Sequence, residues 1–157
     1  MSILSKLFIK PIHEGEVVDI RESYRTDEKS AFDGVPTVYY NIYKHGERDT
    51  IGTIELRLTV DGNMYYYGNV GYKIDKNYRG HNYAYHACKV LFKVAKEEFN
   101  MDELIITCSP ENIASYKTLK KLDGELIELA KVPKEHILHL IGETSKYIFR
   151  YRIRLKD

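Results

Sequence analysis

The residues best placed to do chemistry lie in the run Arg79-Gly80-His81-Asn82-Tyr83-Ala84, which leads from a strand-like segment into a long helix-like one. A chain entering a helix leaves its first amide N–H groups without intrahelical partners. The helix dipole adds partial positive charge at the same place. Together these suit a phosphate or pyrophosphate, and Gly80 lets a ligand approach the backbone closely. Arg79 adds a fixed cation. A solvated loop before an ordinary helix has the same composition, so this run takes its meaning from what surrounds it. A second group, Asn112, Ser115, Tyr116 and Leu119, falls at i, i+3, i+4 and i+7 and so shares one helix face. Tyr116 reads equally as a ligand contact or as a packed aromatic. A carboxylate, Glu55, alternates with apolar residues in IGTIELRL, where it reads as a general base or as a surface acid near Arg57.

Several elements must hold these residues. PTVYYNIY is rich in β-branched and aromatic residues and predicts a strand. IGTIELRLTV alternates, with Ile54, Leu56 and Leu58 on one face. Asp61-Gly62 predicts a two-residue hairpin turn, with the next strand at Asn63–Ile74. The period then changes. Tyr83, Ala87, Val90, Leu91, Val94 and Ala95 mark the apolar face of a helix from Asn82 to Phe99. ELIITC at Glu103–Cys108 predicts a buried strand. Ser109-Pro110 predicts the N-cap and first position of a second helix, which ends near Leu122 with Gly124 in the left-handed conformation. ELIELAKV and YIFRYRIRL predict the last two strands. The opening segment to Asp33 predicts a short strand at Lys6–Lys10 and then a loop or helix.

The chain has 157 residues, a length that suits one domain. Lys and Arg number 24 against 23 Asp and Glu, so the formal charge of +1 excludes strong bulk attraction to nucleic acid or anionic lipid. The basic end YIFRYRIRLK mixes aromatic and basic residues, but a half-exposed strand has the same pattern. No apolar run approaches the ~18 residues that span a bilayer. Cys88 and Cys108 do not form a disulfide framework, and with no export signal the chain is expected in the cytoplasm. No ligand spacing supports a metal, and His136 and His139 read as surface or partly buried residues. The order of elements is not the strict alternation of a Rossmann domain, and no GxGxxG follows the first strand.

In this context the residues resemble the GNAT superfamily of acyl-CoA-dependent N-acyltransferases. The family's phosphate loop reads Arg/Gln-x-x-Gly-x-Gly/Ala. Arg79 and Ala84 match it, and Asn82 replaces the central Gly. Asn tolerates left-handed backbone better than most residues, so the loop can keep its shape. A second motif, Asn-x-x-Ser/Ala ending in Lys-Leu-Gly, is matched by Asn112, Ser115, Lys121, Leu122 and Gly124, with Asp123 where Gly is usual. The phrases IGTIELRL, YYGNVGYKI, YRGHNYA and CSPENIAS together look like a bacterial branch. The resemblance covers Val35 to Gly124 and, more weakly, the last two strands.

The resemblance implies a single domain over residues 1–157, of the α+β class. It implies three α/β/α layers and a mixed central sheet of about six or seven strands, with a cleft where the fourth and fifth strands splay apart. It implies acetyl-CoA as co-substrate, and no metal. The pantetheine arm would pair along the fourth strand at Gly71, Tyr72, Lys73 and Ile74. The pyrophosphate would sit on Arg79, Gly80, His81, Asn82, Tyr83 and Ala84. Asn112 would bond the arm, Ser115 would reach the cofactor's outer part, and Tyr116 would touch it. Lys117, Lys120 and Lys121 would attract a phosphate or simply be solvated. Many relatives place a general-acid Tyr seven residues after the Asn, where this chain has Leu119. Tyr116 is the substitute acid, and Glu55 the candidate base. Asn69 stands where related sequences carry His, and Cys108 reads as a packing residue. The implied activity is direct acetyl transfer to a primary amine of a small molecule or of a peptide or protein. The alternative is a non-catalytic acyl-CoA-binding module of the same fold. A homodimer is common in the family. The acceptor would lie between the N-terminal segment and residues 133–146.

Overall fold

The computed structural model describes residues 9–31 and 34–154. The strands are β1 (Ile12–Glu14), β2 (Val18–Thr26), β3 (Thr37–Lys44), β4 (Thr50–Arg57), β5 (Val70–Ile74), β6 (Glu103–Cys108), β7 (Glu125–Lys131) and β8 (Ser145–Arg152). The helices are α1 (Tyr83–Phe99), α2 (Ile113–Lys121) and the short α3 (Ile137–Leu140). The first five strands form one sheet in the order β1-β2-β3-β4-β5, and the rest form a second in the order β6-β8-β7. Every ladder within the two sheets is antiparallel. Between β5 and β6 the pairing shrinks to an isolated bridge, Gly68 to Ile106. The expected splay is therefore the line along which the strands divide.

The core lies between the five-stranded sheet and α1. Ala87, Cys88, Leu91, Val94 and Ala95 of α1 are buried against Val18, Ile20, Val38, Tyr40, Ile42, Ile54 and Leu56. This is the apolar face that the 3.6-residue period predicts. Truncating fully buried Leu91 to Ala would cost about 2–5 kcal/mol. A smaller cluster, Ile105, Ala130 and Ile148, lies on the other side of the second sheet under Val60, Tyr65 and Tyr66. β8 is central in its sheet, so Ile148 faces this cluster while Phe149 and Tyr151 face the main core. Cover on both faces explains why its sequence does not alternate cleanly.

Several expectations need correcting. The strand expected at Lys6–Lys10 falls mostly outside the described residues, and residues 9 and 10 are not in a strand. The expected loop or helix before Asp33 is instead β1 and β2. There Val18 and Ile20 are buried, and the edge of β3 supplies main-chain partners. Asp61-Gly62 is not a hairpin turn. Asp61 starts a 3-10 turn over Gly62–Tyr66, and the strand begins only at Val70. The reason is packing: Met64 is buried, and Tyr65 and Tyr66 cover the second cluster.

The ends of α2 also differ from expectation. Asn112, not Ser109, caps it by accepting from the Ser115 amide at 3.1 Å. The Ser109 hydroxyl donates to Glu143 instead. At the other end Asp123 takes the left-handed conformation at φ 63°, and Gly124 is required for a different reason. A Cβ at Gly124 would collide with the Tyr151 ring.

Candidate active site

The site starts where β5 ends. Ile74 is the last strand residue, and a single 3-10 turn over Lys76–Tyr78 follows. Arg79 then ties the loop to the strand, its Nε donating to the Ile74 carbonyl at 2.9 Å. Gly80 and Asn82 both adopt left-handed backbone, at φ 89° and 59°. An ideal Cβ at Gly80 meets nothing within 4 Å, so the demand there is conformational and not steric. Asn82 supplies the second left-handed residue without glycine, as its tolerance predicts. No side chain caps α1, and no acid stands in its first turn. Its helical bonding begins with the His86 amide donating to the Asn82 carbonyl at 3.1 Å. The amides ahead of that bond leave a partial positive charge at the mouth of the loop.

α2 supplies the facing wall. The Tyr72 hydroxyl donates to Ser115 Oγ at 3.1 Å, joining β5 to α2. Burial pushes the Tyr72 phenol up to about 12, so it stays a neutral donor at physiological pH. Lys121 Nζ lies 4.6 Å from the Tyr85 ring centroid and Lys89 Nζ lies 5.3 Å from it. His86 is held below its ordinary value first by burial and then by these two lysines. The helix start and the lysines thus make one positive region.

Between β5, the loop and α2 is a cleft of about 800 Å³. Of the residues expected there, it is lined by Tyr72, Lys73, Ile74, Arg79, Gly80, Asn82, Tyr83, Ala84, Asn112 and Ser115. His81 and Tyr116 are not among its lining residues. His81 leans toward Tyr83, with ring centroids 5.4 Å apart. Lys117 and Lys121, expected to attract a phosphate or be solvated, also line the cleft, and Tyr78, Ala114 and Thr118 do so in addition. The sequence carried a signal for Lys117, Thr118 and Lys121. Thr118 and Lys121 follow Ser115 at i+3 and i+6, and Lys117 follows Ala114 at i+3, which extends one stripe along α2. The tyrosines of β3 do not reach this cleft.

The expected catalytic side chains are placed elsewhere. Glu55 lies opposite Gly71 in the β4–β5 ladder, on the sheet face away from Tyr72. Its Oε1 pairs with Arg57 Nη2 at 3.1 Å. The Tyr39 phenol nearby is raised by burial and then by the Glu55 charge. Tyr116 packs against Tyr147 and Phe149, at centroid distances of 5.1 and 6.0 Å. Leu119 is fully buried, and its carbonyl accepts from the Tyr151 hydroxyl at 2.6 Å. Cys108 is buried, and burial pushes its thiol up, which keeps it protonated and supports its reading as a packing residue. Among the described residues no cluster of His, Cys, Asp or Glu could hold a metal, and no helix is long and apolar enough to cross a membrane.

Comparisons with known proteins bear on the family and the fold. The family model for the acetyltransferase (GNAT) domain matches residues 10–125. A Bacillus subtilis (strain 168) protein called the uncharacterized N-acetyltransferase YnaD is 36% identical over 53 residues. That match covers 34% of this chain and 31% of that protein, so it spans about a third of the curated relative's length. A Bacillus anthracis acetyltransferase of the GNAT family superposes with a TM-score of 0.66 at 17% identity, covering 90% of this chain and 98% of that one. RimL, a ribosomal L7/L12 alpha-N-protein acetyltransferase solved in complex with coenzyme A, superposes with a TM-score of 0.65 at 12% identity, covering 91% and 98%. At these identities the solved structures speak for the fold alone.

Proposed function

The chain belongs to the GNAT acetyltransferase family, and on that premise we propose that it transfers the acetyl group of acetyl-CoA directly to a primary amine of a small molecule or of a peptide or protein. The observation that carries this reading is the start of α1. Two left-handed residues, Gly80 and Asn82, turn the loop so that uncapped amides meet a cleft with Arg79, Lys117 and Lys121 on its walls. Those donors fit a pyrophosphate. RimL, of the same fold, is described with coenzyme A bound.

On this reading the pyrophosphate takes Arg79 to Ala84, and the pantetheine arm runs along β5 past Tyr72, Lys73 and Ile74. Asn112 and Ser115 face the arm. Tyr72 holds Ser115 in place. The neutral amine attacks the thioester carbonyl carbon, the C–S bond breaks, and the thiolate leaves. The chain's contribution is alignment together with main-chain donors near the carbonyl oxygen. Glu55 takes the amine proton through water, since Arg57 holds its carboxylate on the far face of β4. With Leu119 in place of a phenol and Tyr116 packed away, the thiolate takes its proton from solvent, or from the ammonium where Glu55 does not accept it. Two free buried thiols, Cys88 and Cys108, support a reducing compartment such as the cytoplasm.

Leu119 favours a second reading, a non-catalytic acyl-CoA-binding module. Release of free CoA thiol, followed with a panel of amines, separates the two. Turnover with any amine supports the transferase. Tight CoA binding without turnover supports the module. Absence of CoA binding removes both.

A further inference from the structure

Asn69 stands just before β5 and is 3% exposed. Its main chain bonds in two directions. Its amide donates to the Ile105 carbonyl at 2.6 Å, and its carbonyl accepts from the Arg57 amide at 2.6 Å. Its side chain repeats the pattern in reverse. Nδ2 donates to the Arg57 carbonyl at 2.9 Å, and Oδ1 accepts from the Ile105 amide at 2.8 Å. One residue therefore satisfies both main-chain groups of Arg57 on β4 and both of Ile105 on β6. A side-chain carboxamide can do this because it presents a donor and an acceptor in one plane, as a peptide unit does.

Two neighbours reinforce the seam. Gly68 bridges to Ile106 with φ 74°, where a Cβ would stand 2.7 Å from the Ile105 carbonyl oxygen. Thr107 Oγ donates to the Tyr66 carbonyl at 2.8 Å. Beyond this seam no ladder joins β5 to β6 among the described residues. The strands part toward Ile74 and the phosphate-type loop.

We propose that Asn69 fixes the closed end of the cleft and thereby limits the length of the acyl group held there, selecting acetyl over longer chains. This rests on the acetyl-CoA reading of the cleft. With the phosphates at Arg79 to Ala84, the arm runs back along β5 and its acyl end meets the seam. Val70 beside Asn69 and Ile106 beside Ile105 are buried at the seam, so a longer chain that meets it needs the strands to move apart. Asn69 opposes that movement from both sides. Asp in its place loses the donor to Arg57, and Ala loses both side-chain bonds. Asn69 is thus a specificity-determining position, where the resemblance noted only that related sequences carry His.

The test is calorimetric binding of CoA, acetyl-CoA, propionyl-CoA and butyryl-CoA to the full chain, with thermal unfolding of each variant beside it. The wild type should prefer acetyl-CoA to butyryl-CoA by about tenfold or more. In Asn69→Ala that preference should narrow to about threefold or less, with CoA itself bound nearly as before. Thr107→Val loosens the same seam while keeping all four Asn69 bonds, and serves if Asn69→Ala does not fold. Its preference should narrow by about twofold to threefold. A folded seam variant that keeps the full preference, or weakens all four ligands equally, overturns the inference and leaves the transferase reading standing. A wild type that binds no CoA overturns both.

Discussion

The two ends of β5 are built on opposite rules. At the Ile74 end, Gly80 and Asn82 turn the chain into left-handed backbone and α1 begins without a side-chain cap. At the Val70 end, Asn69 pairs both of its main-chain groups and both of its side-chain atoms. One end holds donors back from the protein and so keeps them for a ligand. The other spends every donor on the protein and so stops the ligand. A cleft that binds one molecule in one register needs both kinds of end.

The largest effect expected from breaking this contrast is at the closed end. Asn69→Leu has similar size but leaves the Arg57 carbonyl and the Ile105 amide buried without partners. At about 1–3 kcal/mol for each orphaned group, the loss of stability should be about 2–6 kcal/mol. A urea titration reads it as a lower midpoint at unchanged slope. A midpoint within error of wild type would mean that the seam opens freely, and the contrast would fail.

The open end should answer differently. Gly80→Val forces a β-branched residue to φ 89° in open space. The loop must turn another way, so CoA affinity should fall by about 30-fold, or ~2 kcal/mol, while the urea midpoint changes little. Calorimetry and the same titration decide it. Loss of stability without loss of affinity would reverse the assignment of the two ends.

What could be read in the chain beforehand follows this division. The open end is local: strand, loop and helix start lie within Val70 to Phe99, and residue type alone marks Arg79, Gly80 and Asn82. The 3.6-residue period marks α1 for the same reason. The closed end is not local. The Asn69 side chain bonds residues 12 and 36 positions away, a pairing that no motif announces. Between the two readings of Tyr116, contact or packed aromatic, the deciding neighbours are likewise remote in sequence. Its spacing put it on the Asn112 and Ser115 face, but Tyr147 and Phe149, far along the chain on β8, draw it inward. The cleft-facing stripe of α2 therefore turns toward Thr118 and Lys121. Glu55 shows the limit of alternation, which gives a face but not which face meets the cleft.

A smaller change sharpens the open end. Asn82→Gly restores the residue that the family's loop uses. It relieves left-handed strain worth about 1 kcal/mol but adds freedom to the unfolded chain. The two nearly cancel, so stability should move by less than about 0.5 kcal/mol. CoA affinity should stay within about twofold, since Asn82 already holds φ 59°. A tenfold gain would show that Asn82 distorts the loop.

The smallest effect is expected far from both ends, where pH should act and ligand should not. Asp19 is 3% exposed and accepts from the Gly15 and Gly46 amides, while His45 Nδ1 lies 2.8 Å from it. Burial alone would raise Asp19, but the bonds from His45, Gly46 and Gly15 outweigh it and hold its carboxyl below 3.8. The same bond, with the charge of Asp19, lifts His45 above 6.5. A raised histidine stabilises fully below its unfolded value and loses that contribution as pH rises through its folded value. A lowered carboxyl stabilises above its unfolded value and loses the contribution as pH falls through its folded one. The pair therefore stabilises most between the two ordinary values, with an alkaline arm above 6.5 and an acid arm below 3.8. His45→Gln removes the alkaline arm and shrinks the acid one, which keeps only the Gly46 and Gly15 bonds. Its melting temperature should fall less than that of the wild type as pH rises from the His45 plateau into the alkaline range, and CoA affinity should be unchanged. Parallel melting curves would show that the pair carries no pH-dependent stability. A change in CoA affinity would show that the β2–β3 hairpin and the cleft are coupled, so that the ends of β5 could not be treated separately from the rest of the sheet.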